Sequence, residues 1–305
     1  MPDSNRNVIA IVVTYNPDLS TLQQQLVTLA PQVSAIVMVD NASQDDLVSW
    51  LKTIPQTVDK LIRLGDNYGV GAAQNHGIEW ARRCGSAFVL LMDQDSIPQT
   101  GMVEELLLGY QRLTGNGAKV AAVGTQYQDD QEAPLSGFVR FSSWFGRNIV
   151  HCATGDAELE CDFLIASGSL IPMTAISEVG TMDEELFIDH VDTEWCLRAR
   201  AKGYRLFGIC SAVMLHELGL HRVKAWWLGG REVAIRPPFR YYYMIRNSIL
   251  LLRRSYPCRS WRFFEIRRLI LSCVFFGIFL PGRGERLKMM FKGGRDGLGK
   301  MSGKL

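Results

Sequence analysis

Ala87-Phe88-Val89-Leu90-Leu91-Met92-Asp93-Gln94-Asp95 is a continuous apolar run that stops abruptly in two carboxylates. With no polar residue at alternate positions, the run predicts a strand covered on both faces, as in a parallel sheet. Val8–Val13 (VIAIVV) is a second run of this kind and ends in the turn Thr14-Tyr15-Asn16-Pro17. Between them, Leu19, Leu22, Leu26 and Leu29 have the spacing of an amphipathic helix. Ala35–Val39 predicts a strand ending at Asp40-Asn41, Leu47–Leu51 a short helix, Lys60–Leu64 a third strand and Gly71–Cys84 a helix. Strand and helix alternating in this order imply a doubly wound α/β sheet. Ligands of such sheets gather beyond the carboxyl ends of the strands. Each predicted strand end here carries polar, small or acidic residues.

Further along, Gly124–Leu159 reads as a long variable loop with one hairpin, and Cys161–Pro172 as a strand region containing Ser167-Gly168-Ser169. A helix is expected from near Asp192 to Lys202, stopped by Gly203 in the left-handed conformation. Tyr204–Ile209 is another strand, and Val213–Leu215 leads to His216. The sequence contains no internal repeat and no low-complexity segment.

The bulk numbers fit a folded enzyme-sized chain. Of 305 residues, 47% are hydrophobic and 21% charged, which excludes disorder over most of the length. The seven cysteines form no CxxC pair, and the first apolar run is too short for a secretory signal. Reduced, buried, structural cysteines and a cytoplasmic protein are therefore expected. The net charge of +2 hides an asymmetry. From Arg236 onward 16 Lys and Arg stand against 3 Asp and Glu, a net +13, whereas the preceding residues carry 17 against 28, a net −11. An acidic body and a basic tail that meets anions follow from this split.

Two carboxylates at i and i+2 beyond a strand, Asp93 and Asp95, can reach one divalent cation, and the cation can neutralise a diphosphate leaving group. An isolated acidic turn is the plain alternative, but the buried strand before it argues for a site. Asp40 closes the second strand, where a carboxylate can accept the imide N–H of uracil or thymine; a simple Asx turn is the other reading. Asn67-Tyr68-Gly69-Val70-Gly71-Ala72-Ala73-Gln74-Asn75 is a Gly-rich entry into a helix, with backbone N–H groups open to a ligand. It lacks GxGxxG and does not follow the first strand, which argues against a dinucleotide. Phe187-Ile188-Asp189-His190-Val191-Asp192-Thr193-Glu194 places three acids at a helix start. Asp192 is either a helix cap or a general base for an acceptor hydroxyl, with Asp189 and Glu194 as helpers or surface acids. His216 is either a core histidine or a third metal ligand.

The set Thr14-Tyr15-Asn16, Asp40-Asn41-Ala42-Ser43, Asn67-x-Gly69-x-Gly71-Ala72-x3-Asn75-x-Gly77, Asp93-Gln94-Asp95-Ser96, Val191-Asp192-Thr193-Glu194-Trp195-Cys196-Leu197-Arg198 and His216 resembles the family 2 inverting glycosyltransferases of the GT-A fold. The resemblance covers about Val8 to Asn247. Within the family it is most similar to bacterial rhamnosyltransferases of O-antigen and cell-surface polysaccharide assembly, through Leu91–Ser96, Phe187–Cys196 and Tyr241-Tyr242-Tyr243-x2-Arg246-Asn247. It implies a nucleotide-diphospho-sugar transferase fold, a Rossmann-like, mostly parallel sheet flanked by helices, with a C-terminal helical basic extension. Thr14, Tyr15, Asn16, Asp40, Asn67, Gly69, Gly71, Asn75 and Asp93 would bind nucleotide. Asp93, Asp95 and His216 would hold Mg²⁺ or Mn²⁺, and Asp192 would be the base. Ser167, Gly168, Asp189 and Glu194 fall on the donor-sugar and acceptor side. Many relatives carry Glu-Asp where this chain has Val191-Asp192, so a helper acid is lost or moved to Asp189. The implied donor is dTDP-L-rhamnose, with a UDP-hexose or UDP-N-acetylhexosamine as runner-up, and the implied acceptor a lipid-diphosphate-linked saccharide.

The expected division is a catalytic domain at 1–235 and a basic, amphipathic helical extension at 236–305. Within the extension Trp261, Phe263 and Phe264 precede an apolar run, Leu269–Pro281, of 13 residues. That is short of the ~20 needed to span a bilayer. Flanking arginines fit a helix lying at an anionic membrane surface, on the inner face of the plasma membrane; a core helix with a solvated basic face is the alternative. A nucleotide-dependent oxidoreductase is disfavoured because the first strand leads into Thr14–Pro17 and not into a Gly-rich turn. A nucleic-acid-binding protein would leave the ordered acids unexplained.

Overall fold

The computed structural model describes residues 7–54, 57–128, 133–142, 146–216, 221–225, 231–276 and 283–305. Strands β1 (Val8–Thr14), β2 (Ala35–Asp40), β3 (Lys60–Arg63) and β4 (Phe88–Asp93) alternate with helices α1 (Leu19–Leu29), α2 (Leu47–Leu51) and α3 (Val70–Arg83). β5 (Ser96–Pro98), α4 (Met102–Gly115) and β6 (Val120–Gln128) follow, then the hairpin β7 (Phe138–Ser142) and β8 (Gly146–Val150), β9 (Glu158–Cys161) and β10 (Ser169–Pro172). The rest comprises α5 (Met173–Val179), α6 (Val191–Ala201), β11 (Arg205–His216), the pair β12 (His221–Ala225) and β13 (Arg231–Ile235), and helices α7 (Pro238–Leu252), α8 (Arg259–Val274) and α9 (Arg283–Leu298).

The main sheet runs β3-β2-β1-β4-β10-β6-β11-β5, with β9 also on β11. β10 is antiparallel to both neighbours, as are β5 and β9 to β11; the other pairings are parallel. The first strand shows why its sequence is apolar throughout. Val8, Ala10 and Val12 pack with Leu22, Leu26 and Leu29 of α1 and with α4, while Ile9 and Ile11 pack on the opposite face with α3, α5 and α6. Gly77 lets α3 lie close to that strand: a Cβ there would sit 2.4 Å from Ile11 Cγ2.

Several expectations need correction. Gly124–Gln128, expected as loop, is the second half of β6. Its polar residues tolerate burial because the strand is central and Gln126 Nε2 donates to the Ser136 carbonyl at 2.7 Å. The expected hairpin is β7–β8. Of Cys161–Pro172 only the ends are strand, and 162–168 crosses between them as a turn segment. The two predicted strands Tyr204–Ile209 and Val213–Leu215 are one strand, β11, interrupted by a register shift between Ile209 and Val213. α4 has no counterpart among the predicted elements.

The cysteine expectation is overturned in part. Cys152 and Cys210 form a disulfide that ties the chain after β8 to the irregular middle of β11, while Cys84, Cys258 and Cys273 are exposed. Cys161 and Cys196 are buried free thiols, as expected of structural cysteines. The reason is tertiary: 58 residues apart in sequence, the pair is brought together by the hairpin folding across β11. Among the described residues, no helix is long and apolar enough to cross a membrane.

Candidate active site

Parallel register sets the floor of the site. Thr14 pairs with Asp40 across β1–β2, and Val13 with Asp93 across β1–β4, so three strand ends finish at one level. There Asp40 is fully buried. Its Oδ1 accepts from Ser43 Oγ (2.5 Å), the Ser43 amide (3.1 Å) and Thr14 Oγ1 (3.3 Å). Its Oδ2 has no hydrogen-bond donor, only the Arg63 guanidinium at 3.8 Å. Asn41 reaches over to Asn67, donating from Nδ2 to Asn67 Oδ1 at 2.9 Å and accepting the Tyr68 amide at 2.9 Å. Asn67 Oδ1 also accepts the Gly69 amide, which fixes the entry to α3. Gly69 has φ +90°, and a Cβ would sit 2.4 Å from the Phe187 carbonyl oxygen, so only glycine fits there.

The Asp93-Gln94-Asp95 turn is held from below. Gln25 of α1 donates to the carbonyls of Asp93 and Ser96, each at 2.6 Å, and Ser167 Oγ accepts the Asp93 amide at 3.0 Å while donating to Ser96 Oγ at 2.7 Å. Gln94 clamps Tyr15: its Oε1 accepts the Tyr15 amide at 2.7 Å and its Nε2 donates to the Tyr15 carbonyl. Burial first, then the charges of Asp95 and Asp192, push the Asp93 carboxyl up to about 7. Asp192 also sits above the ordinary carboxylate range, chiefly from burial.

Asp192 follows a strained segment. Phe187, Asp189 and His190 all have positive φ, near 63–65°, a conformation that non-glycine side chains adopt at a cost. The motif Tyr241–Asn247 of α7 holds it in place. Asn247 Nδ2 donates to the carbonyls of Leu186 (2.9 Å), Ile188 (2.8 Å) and Asp189 (2.9 Å), and Arg246 donates to those of Glu185 and Leu186. Tyr243 stacks on Phe187 with ring centroids 5.0 Å apart. Asp189 is neutralised by Arg236 (2.7 Å) and Arg240 (2.8 Å). His190 meets Ser248 Oγ at 3.0 Å, Arg268 at 3.1 Å and Glu265 at 3.3 Å. Burial raises the Glu265 carboxyl, but the charges of His190 and Arg268 outweigh it and hold the group well below its usual range.

These elements enclose a cleft of about 920 Å³. Tyr15, Asn67, Gly69, Asp93, Asp95, Asp189 and Asp192 line it, together with Arg147, Arg236, Arg240, Trp261 and Arg268. The carboxylates expected to do chemistry therefore share one cavity.

Other expected residues lie elsewhere. Thr14 and Asp40 are beneath the floor, with Asn41 between them and the cleft. Asn16 does not line it either; at φ 47° its amide donates to Ser43 Oγ and its Oδ1 accepts the Gln44 amide. Gly71 packs against Asp183 and Val191, and Asn75 clips α3 to the Met182 backbone and Glu184. Ser167 supports Asp93 from behind, and Gly168 needs its φ of +77° because a Cβ would strike Thr125. Glu194, expected on the sugar side or at the surface, is 1% exposed in an ion-pair cluster with Arg198 (2.8 Å), Arg254 (3.2 Å) and the Tyr256 hydroxyl. Asp189 is likewise no surface acid. The His216 backbone pairs with Ser96, one residue past Asp95; its side chain lies outside the described residues.

Sequence reasoning missed Gln25, Gln74, Gln94 and the arginine wall. Gln25 carried a signal, an amide on the buried leucine face of α1. Gln74 lines the cleft almost fully buried, with Oε1 lacking a partner.

The family model for glycosyl transferase family 2 matches residues 9–169. The chain is also 31% identical over 288 residues to the dTDP-rhamnosyl transferase RfbF of Shigella flexneri, covering 94% of this chain and 93% of that one. The chain belongs to glycosyl transferase family 2. It is a glycosyltransferase, and solved structures agree on its fold. GalNAc-T7, crystallised with UDP, GalNAc and Mn²⁺, superposes with a TM-score of 0.62 at 12% identity, covering 98% of this chain and 57% of that longer one. TarS 1–349 of S. aureus gives 0.52 at 14%, covering 95% and 80%. This family 2 glycosyltransferase thus has the GT-A architecture, with a helical C-terminal region that closes its cleft.

The matched segment of the family 2 glycosyltransferase ends at Ser169. Asp192 and the arginine wall of Arg236, Arg240 and Arg268 come from the chain beyond it, while Arg147 lies within it. Among the described residues, no group of three His, Cys, Asp or Glu side chains forms a ready metal cluster. The cleft instead offers two neighbouring carboxylates, Asp93 and Asp95, with Asp93 raised first by burial and then by the charge of Asp95. An all-oxygen pair of this kind suits a hard divalent cation that takes its remaining ligands from a substrate diphosphate.

Proposed function

We propose that this enzyme transfers L-rhamnose from dTDP-L-rhamnose, with inversion, to a lipid-diphosphate-linked saccharide in O-antigen assembly. The single observation that carries the reading is the convergence of Asp93, Asp95 and Asp192 on one cleft, in a chain 31% identical along nearly its whole length to a dTDP-rhamnosyl transferase. Asp192 acts as the general base: it takes the proton from the acceptor hydroxyl as that oxygen attacks the anomeric carbon and the nucleoside diphosphate departs. Burial raises its pKa, which makes the carboxylate a stronger base than an exposed one. Asp93 and Asp95, with His216 from the adjacent strand, would hold Mg²⁺ or Mn²⁺, which when bound supplies positive charge to the diphosphate leaving group. For Asp40 Oδ2, buried without a donor, to accept the imide N–H of thymine or uracil, the Asn41 side chain above it has to move off the floor when nucleotide binds.

The arginine wall screens the charges that accumulate as the diphosphate forms. The division into a catalytic domain, 1–235, and a basic extension, 236–305, working on the cytoplasmic face of the inner membrane, belongs to this reading. Location no longer leans on reduced cysteines, because Cys152 and Cys210 are joined.

The test is turnover of a panel of dTDP- and UDP-sugars with and without Mn²⁺. Release of dTDP from dTDP-L-rhamnose, dependent on divalent metal and abolished by Asp192→Asn, is expected. Preference for a UDP-sugar would reassign the donor, and metal-independent turnover would remove the cation.

A further inference from the structure

α8 is apolar on its outer face as well as anchored inward. Its inward side is mixed: Trp261 is buried in the core, and Glu265 is buried against Ser248 and His190, with Arg268 beside them. Its outward side is apolar. Phe263, Ile266, Ile270, Leu271 and Val274 are between 45% and 59% exposed. Their i, i+3, i+7, i+8, i+11 spacing places them in one stripe.

Two cations belong to the same face. Arg259 lies one turn before Phe263, and Arg267 lies inside the stripe. Both are exposed, and neither has an acidic partner among the described residues. Arg283 and Lys288 of α9 are exposed and equally unpaired. Most other basic groups of the extension are engaged by acids or carbonyls, Arg236 and Arg240 by Asp189, Arg254 by Asp183 and Glu194, Arg295 by Asp296.

We propose that the outer face of α8 docks the enzyme on an anionic lipid surface, so that the inner face of the same helix forms the cleft wall next to the headgroups. The charges decide for lipid over a protein partner. The core of a protein interface is depleted of charge, whereas arginine within an apolar stripe can sink its stem among acyl chains and reach phosphate with its head. The stripe is about three turns long, the scale of a short helix lying in the interface. The inner face meets the needs of the transfer reaction: Phe264, Glu265, Arg268 and Ser272 line the cleft. A lipid-linked acceptor would then present its saccharide without leaving the membrane. This inference rests on the proposed lipid-linked acceptor but names the surface that brings enzyme and acceptor together.

The experiment is flotation of the purified full-length protein with vesicles of phosphatidylglycerol and phosphatidylethanolamine, and with vesicles of phosphatidylcholine alone. Binding to the anionic vesicles is expected, weakened by salt and reduced about tenfold or more by Ile270→Glu and by Arg267→Glu. An environment-sensitive dye on the exposed Cys273, in a Cys84→Ser, Cys258→Ser background, should shift to the blue on binding. Release of dTDP from dTDP-L-rhamnose is measured on the same samples and should be unchanged by Ile270→Glu, which also shows that the variant folds. Loss of dTDP release in the parent would sink the rhamnosyl reading without touching the docking face. No binding of the parent to anionic vesicles, or binding that Ile270→Glu leaves intact, overturns the docking proposal. A parent dimer that Ile270→Glu dissociates, without vesicle binding, would give the face to a second copy.

Discussion

The two walls of the cleft are built on different principles. The wall made by β1, β2, β4 and the start of α3 is held by uncharged amide side chains hydrogen-bonded to backbone. Asn67 fixes Gly69, Gln94 grips Tyr15, and Gln25 supports the Asp93–Ser96 turn. The wall made by 187–190, α7, α8 and the β7–β8 hairpin is held chiefly by ion pairs. Asp189 meets Arg236 and Arg240, and His190 meets Glu265 and Arg268. The first wall is rigid because its ladder of parallel strands sets every position. The second depends on α7 holding three residues at positive φ and on a disulfide tethering the hairpin. Donor binding should therefore be robust to changes in the second wall, while catalysis and acceptor binding should not.

The largest effect is expected at the junction of the walls. Asp192→Asn should lower turnover about 10²- to 10⁴-fold, the usual worth of a general base, with dTDP affinity preserved in calorimetry. Loss of nucleotide binding in that variant would mean that the two walls are not separable.

Next comes the tether. Cys152→Ser with Cys210→Ser opens a link between residues 58 apart, and unfolding stability should drop by about 2–4 kcal/mol. Denaturant melts with and without reductant measure it, and the unreduced parent alone should show the higher midpoint. Equal midpoints would detach the hairpin from the stability of the sheet.

Asp189→Asn frees Arg236 and Arg240 and should raise the acceptor KM about tenfold, roughly 1.4 kcal/mol, with the dTDP dissociation constant unmoved. A matching rise in the dissociation constant for dTDP would show that the arginine wall grips the donor instead.

A pH effect on stability concerns Asp93 in metal-free protein. Its folded pKa of about 7 lies above the ordinary 3.8, so the native state holds the extra proton between these values. Stability should fall as pH rises through that window and then level off, and Asp93→Asn should flatten the slope. Denaturation at a series of pH values in the presence of chelator reads this directly. A slope of opposite sign would place the carboxylate in a more polar setting.

Legibility followed the same division. β1, α1, β2, α2 and β4 could be located from hydrophobic period and turn residues, because each encodes its environment within a dozen positions. The polar residues at their ends then marked the rim. Their individual jobs were less legible. Asn75, Asn16 and Glu194 carry ligand-like chemistry yet are spent on chain packing, and nothing in their neighbours says so. β6 had no counterpart in the sequence reading, and its second half looked like loop because only a central strand, whose ladder satisfies the backbone, can bury Gly124, Thr125 and Gln126. The Tyr241–Asn247 motif stood out in the sequence, but its work of holding the carbonyls before Asp192 is visible only in space.

By itself the sequence determined the alternation of strand and helix, the acids at the strand ends and the charge split at Arg236, since these follow from local spacing and residue type. Tertiary structure alone decided that Asp93, Asp95 and Asp192 share one cavity, that Cys152 meets Cys210, and that α8 turns its apolar side outward. Those facts depend on contacts between residues tens to more than a hundred positions apart. Burial and mutual charge, which set what each side chain can do, exist only once such contacts have formed.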